Sequence, residues 1–81
     1  MGGPSLSELV EVIAKALVDK PEAVSVKAIE GGQTVVLELY VDKTDIGKVI
    51  GKGGNTARSI RTIMSASAAK QKKNAVLEII E

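Results

Sequence analysis

The chain has 81 residues, which sets a single domain with a modest core. It contains no cysteine and no histidine, which excludes disulfides, thiolate nucleophiles, zinc–cysteine sites and the commonest general base and metal ligand. Its net charge of +1 conceals a split: Lys43 to Lys73 holds eight basic residues against Asp45 alone, a net of +7, while residues 1–42 carry −4 and residues 74–81 carry −2.

Apolar residues make up 44% and charged residues 26%, the balance of a soluble globular domain. With no Phe, no Trp and only Tyr40, the core must be aliphatic. No apolar run approaches the ~20 residues of a membrane span, and no basic stretch followed by an apolar run predicts a signal peptide. A reducing, cytoplasmic setting fits this composition. Met1-Gly2-Gly3-Pro4 reads as a disordered start or a cloning remnant, which leaves residues 5–81 as the domain.

Ser5 to about Asp19 is predicted to be a helix. Ser5 and Glu8 stand at capping-box spacing. Leu6, Leu9, Val10, Ile13 and Leu17 recur at three- and four-residue intervals and form the apolar stripe. Pro21 stops the helix. Ala23 to about Ile29 alternates apolar and polar residues and predicts a strand. Gly31-Gly32 signals a hairpin turn. Gln33 to Val41 returns as a second strand that is apolar on both faces in places, so it is placed centrally.

Thr44 is expected to cap a short helix from about Asp45 to Ile50, with Ile46, Val49 and Ile50 on its buried side. Gly47 inside that helix implies a close approach to another element. Then comes Gly51-Lys52-Gly53-Gly54. Asn55 is expected to cap a longer helix to about Ala69, with Ala57, Ile60, Ile63, Met64 and Ala68 inward and Arg58 and Arg61 sharing an outward face. Lys70 to Asn74 is a basic turn, and Ala75 to Ile80 is the last strand. The element order is α-β-β-α-α-β.

The glycine loop lies inside the +7 segment, as a polyanion-binding surface requires. Its amides, next to a helix N-terminus, suit phosphate oxygens, and Lys52 adds a mobile charge. A phosphate-binding P-loop does not fit. Gly47-Lys48-Val49-Ile50-Gly51-Lys52-Gly53 is one residue short, lacks the magnesium-binding hydroxyl and follows a helix. A dinucleotide fingerprint fails at Thr56, and its βαβ frame is missing.

Gly51-Lys52-Gly53-Gly54 is instead a Gly-x-x-Gly loop joining two helices, the signature by which KH domains clamp about four nucleotides. Through Ile46 to Gly54 the sequence resembles the KH family. Its element order is similar to the type II, prokaryotic arrangement, and its size to the small bacterial stand-alone KH proteins of the KhpA type. The likeness runs over nearly the whole chain. It departs at Ala57, where family loops often place isoleucine or leucine, and Ile60 is expected to take over that packing.

The resemblance implies an α+β fold: a three-stranded mixed sheet with three helices packed on one face. It implies a groove for single-stranded RNA. One wall would be the helix pair with Gly51 to Gly54; the other would be the last strand and the Lys70 to Asn74 turn. The residues assigned to RNA are Lys48, Ile50, Gly51, Lys52, Gly53, Gly54, Asn55, Arg58, Arg61, Lys72 and Lys73. Ile50 and Ile60 would form an apolar floor, and the backbone of Leu77 and Ile79 would read base edges. No catalytic residue, metal or cofactor is assigned. The implied role is an RNA chaperone or post-transcriptional regulator, working as a homodimer or with a larger KH-containing protein. The alternative is a protein-interaction module that retains the KH shape. An enzyme is disfavoured, since only Asp45 lies near the loop.

Overall fold

A capping box opens the first helix. Ser5 Oγ accepts from the Glu8 N–H at 3.2 Å, and Glu8 Oε1 accepts from the Ser5 N–H at 3.0 Å. The structure is a computed structural model that describes residues 5–81, so the expectation for Met1 to Pro4 lies outside the described residues. Helix α1 spans Leu6–Leu17. Its innermost residues are Val10 and Ala14, whereas Leu17 at the end of the expected stripe is exposed. The helix stops two residues before the expected Asp19, because Val18 turns extended and the N–H groups of Asp19 and Lys20 go to Asp45.

Pro21–Ala23 forms one 3-10 turn rather than the start of a strand. Strand β1 is Ser25–Gly31 and strand β2 is Thr34–Tyr40, paired antiparallel with Gly31 opposite Thr34. The two-residue loop is therefore Gly32-Gln33, one position beyond the Gly31-Gly32 expected; Gly32 alone takes the positive φ, at 63°. Strand β3, Asn74–Ile80, lies parallel to β2, and the sheet order is β1-β2-β3. β2 is central, as its pattern predicted. Val35, Leu37 and Leu39 point into the core, and Thr34, Val36, Glu38 and Tyr40 point to the other face.

The chain passes from β2 to β3 through helices α2, Ile46–Ile50, and α3, Asn55–Ala69. A parallel pair needs such a crossover. α1 and α3 lie on one sheet face, and α2 packs against both helices at the end of that layer. The mixed three-stranded sheet with three helices is thus present. The core is aliphatic, built from Val10, Val24, Val35, Leu37, Leu39, Val49, Ile60, Met64 and Leu77. Leu37 and Leu39 are fully buried, each contributing about 2 kcal/mol through burial. On α3 the inner residues are Ala57, Ile60, Met64 and Ala68, but Ile63 is 45% exposed. An inward line of 57, 60, 64 and 68 leaves 63 about 100° off its axis.

Candidate functional site

Two turns at the ends of α2 shape this end of the molecule. Before it, Asp42 caps a 3-10 turn, Lys43–Asp45: its carboxylate accepts from the Thr44 N–H at 3.0 Å and from Thr44 Oγ1 at 2.6 Å, and Asp45, not Thr44, stands at the N-cap position of α2. Thr44 is a donor here, because a carboxylate two residues upstream is the stronger acceptor. Gly47 meets nothing within 4 Å of where a Cβ would stand, so it marks no close approach. It lies exposed on the outer side of α2.

After α2 the backbone enters conformations that exclude most side chains. Gly51 has φ 77° and ψ 171°, Gly53 φ 63° and ψ 18°, and Gly54 φ 77° and ψ 10°. The Gly51 N–H donates to Gly47 O at 2.8 Å and the Gly54 N–H to Gly51 O at 3.1 Å, which fastens the loop to α2 and to itself. Gly51 is also sterically locked: a Cβ there would stand 2.8 Å from Thr56 N. Gly53 and Gly54 face open space. α3 begins directly after Gly54, which holds the cap position with no side-chain cap bond. Asn55 is thus the first helical residue and not the cap, since its backbone is already helical at φ −66° and ψ −37°. Its Oδ1 instead accepts from Arg58 Nη1 at 3.1 Å.

The basic side chains do different work. Lys52 is exposed at the loop tip, and Arg58 and Arg61 are exposed on α3. Lys48 is engaged. Its Nζ stands 2.9 Å from the Asp19 carboxylate and 3.4 Å from the Asp45 carboxylate. The hydrogen bond to Asp19, then that carboxylate's charge, then Asp45 hold the Lys48 pKa above its ordinary value. Burial alone would raise the Asp45 pKa, but the N–H groups of Asp19 and Lys20 and the Lys48 ammonium override it and hold that carboxyl below the usual range. Asp45 is the one buried charged residue among the described residues, and the sequence reading gave it no role.

Lys72 and Lys73 are not beside the loop. α3 runs away from it for 15 residues, about 22 Å at 1.5 Å per residue, before the turn that carries them. Lys73 Nζ lies 3.0 Å from Glu30 Oε1 on β1, and exposed Lys72 takes a positive φ of 57°. The turn closes the far end of α3 and does not oppose the glycine loop across a groove. Ile60 is 2% exposed, so it belongs to the core and offers no floor to a ligand; Ala57 is buried too, and Ile50 is half-buried.

β3 is an edge strand. The Asn74 N–H donates to Gln33 O at 2.8 Å, toward β2. Backbone groups alternate along a strand, so those of Ala75, Leu77 and Ile79 point away from the sheet at its edge. Tyr40 lies on the outer sheet face, where its hydroxyl donates to Glu38 Oε1 at 3.0 Å, away from α2 and α3. Among the described residues no group of three or more acidic side chains could hold a metal, and no helix is long and apolar enough to cross a membrane.

Comparison with known proteins gives a consistent likeness. The family model for the KhpA/KhpB KH domain matches residues 7–79. RNA-binding protein KhpA of Caldanaerobacter subterraneus subsp. tengcongensis is 53% identical over 75 residues, covering 93% of this chain and 100% of that protein. RNA-binding protein KhpA of Clostridium perfringens has the same identity and coverage. RNA-binding protein KhpA of Aquifex aeolicus is 52% identical over 77 residues, covering 95% of this chain and 98% of that protein.

Proposed function

The chain belongs to the KhpA/KhpB KH-domain family, and from that premise we propose that it clamps single-stranded RNA at the Gly51–Gly54 loop. The family binds RNA and is not an enzyme family. One observation carries the site assignment. Three residues of the four-residue loop are glycines at positive φ, directly ahead of a helix with no side-chain cap. A sugar-phosphate backbone can approach such a loop without meeting a Cβ, and the helix end favours its charge.

Loop amides and Lys52 take the phosphates. Arg58, steadied by Asn55, and Arg61 extend the positive surface along α3. Ile50 supplies the apolar contact, and the outward backbone of Leu77 and Ile79 supplies hydrogen bonds to base edges. Lys72 and Lys73 meet only a strand long enough to run the length of α3. No aromatic side chain lies on this surface for bases to stack on, so affinity for one copy rests on phosphate contacts and is weak. Weak sites gain from pairing. The role is that of an RNA chaperone or post-transcriptional regulator in the cytoplasm, as a homodimer or beside a larger KH-containing protein.

Fluorescence anisotropy with a labelled single-stranded RNA pool, at several salt concentrations, tests this reading. With Lys52, Arg58 and Arg61 on phosphates, log K falls against log salt with a slope of about −2, from roughly 0.7 per phosphate. An absence of binding even at low salt would sink it. The protein-interaction reading would then gain from one observation: Ile29, Val36 and Val76 stand opposite one another across the outer sheet face, with Ile29 44% and Val76 45% exposed.

A further inference from the structure

Asp45 immediately precedes α2, the place where an aspartate ordinarily caps its own helix. It makes no such bond. Its carboxylate is turned instead to another segment and fully buried there, accepting from the Asp19 N–H at 3.2 Å, the Lys20 N–H at 3.0 Å and Lys48 Nζ at 3.4 Å. Lys48 adds a second tie to the same segment through its 2.9 Å pair with Asp19. One carboxylate and one ammonium therefore join the α1–β1 connection to both the base and the middle of α2.

That helix has five residues. A helix so short has no stability of its own, so its placement must come from tertiary contacts. Val49 supplies the apolar contact and is fully buried. Burial in one apolar contact leaves rotation about it unset, whereas the two backbone hydrogen bonds to Asp45 and the Lys48–Asp19 pair, all directed to the other segment, fix it. α2 then leads straight into Gly51, whose N–H is bonded back to Gly47 O. Whatever orients α2 orients the loop.

We propose that Asp45 is a positioning residue for the RNA site, and that Lys48 serves this clasp and is not a phosphate ligand. The affinity part rests on the RNA-binding reading above. The positioning part does not, because the loop itself reports it. The charges agree with this division: Lys48 is paired at the surface with exposed Asp19 and with buried Asp45, so the cluster as a whole is net negative and does not attract phosphate.

Asp45→Asn and Lys48→Met test it. RNA affinity is read by anisotropy at three salt concentrations, at a temperature where circular dichroism finds each variant folded. Amide hydrogen exchange is read at Gly51 and Gly54. For Asp45→Asn, affinity falls roughly threefold to tenfold with the salt slope unchanged, and exchange at both glycines speeds up. For Lys48→Met the slope stays as in the parent chain, whereas loss of a phosphate ligand would reduce it by about 0.7. Such a reduction overturns the assignment of Lys48. A lowered melting temperature with affinity and loop exchange unchanged makes Asp45 a stabilising residue only and overturns its positioning role. If the parent chain binds no RNA, the function reading fails, and loop exchange alone decides: faster supports the clasp, unchanged overturns it. If Asp45→Asn does not fold, faster exchange at Gly51 in Lys48→Met supports the clasp, and unchanged exchange overturns it.

Discussion

The turn between β1 and β2 and the loop between α2 and α3 both use glycine at positive φ, yet their surroundings differ. At the hairpin only Gly32 needs it, nothing crowds it, and the segment up to Asp42 is net acidic. At the loop three glycines need it, a Cβ at Gly51 would strike Thr56, and the segment is net +7. The hairpin turn only reverses the chain. The loop has its geometry enforced from one side, by the Gly51 contact, and left open on the other, at Gly53 and Gly54. A turn that only connects has no need of either feature.

Gly51→Val should have the largest effect. Its φ of 77° with ψ of 171° falls in a region essentially reserved for glycine, costing roughly 1–3 kcal/mol, and its Cβ would meet the backbone of Thr56. Overpacking of that kind costs about as much again. Together these cost about 2–6 kcal/mol, so the melting temperature should fall by at least about 8 °C, and at the upper end, against a stability near the low end of roughly 5–15 kcal/mol, the variant should not fold. Retention of the parent melting temperature would mean the loop is not locked as described.

Lys52→Asp with Gly53→Asp comes next and separates binding from folding. Gly53 has open space, and aspartate is among the residues that tolerate a left-handed backbone, at roughly 1 kcal/mol. The melting temperature should fall by no more than about 8 °C. Two carboxylates against phosphate should lower RNA affinity roughly 100-fold, since like charges in contact cost several kcal/mol. Undiminished binding would remove the loop from the site. Gly32→Asn is the matching change at the hairpin. It should alter stability by less than about 1 kcal/mol and leave RNA affinity within twofold, because asparagine accepts positive φ there. A large loss of RNA binding from Gly32→Asn would erase the distinction between the two turns.

Much of this contrast is legible in the amino-acid order, for physical reasons that also explain what is not. The capping box, the alternation in β2, the central place of β2 and the loop between two helices depend on residues a few positions apart. Asp45 could not be read that way: its backbone partners are 25 and 26 residues distant, and a lone aspartate before a helix looks like a cap. The same limit misplaced Thr44 and Asn55, since Asp45 and Gly54 hold the N-cap positions of α2 and α3. Ile60 and Ile63 both belong to an apolar helix side by spacing, but only the packing of α3 on β3 decides that one is sealed and the other open. The bend of the loop was legible because glycine is the residue that takes positive φ at no steric cost, and three of its four positions do so.

pH gives the smallest effect and sharpens the contrast between binding and folding. The chain has no histidine, so no side chain of unperturbed pKa changes charge between pH 5 and 8. RNA affinity measured at constant ionic strength should be flat across that range. The fold responds lower down. Hydrogen bonds from Thr44 hold the Asp42 carboxyl below its ordinary value; Asp45 is also lowered, its burial overridden by Asp19, Lys20 and Lys48. A depressed carboxylate pKa adds stability that is fully present above the unfolded value near 4 and is lost as pH falls through the folded one. Thermal melts should therefore hold steady down to about pH 4 and drop below it. Asp45→Asn should lessen that drop, because one of the carboxylates that must be protonated is gone. A melting temperature that declines between pH 8 and 5 would contradict the assignment of these two groups, and an RNA affinity that changes there would require a titrating contact the site does not contain.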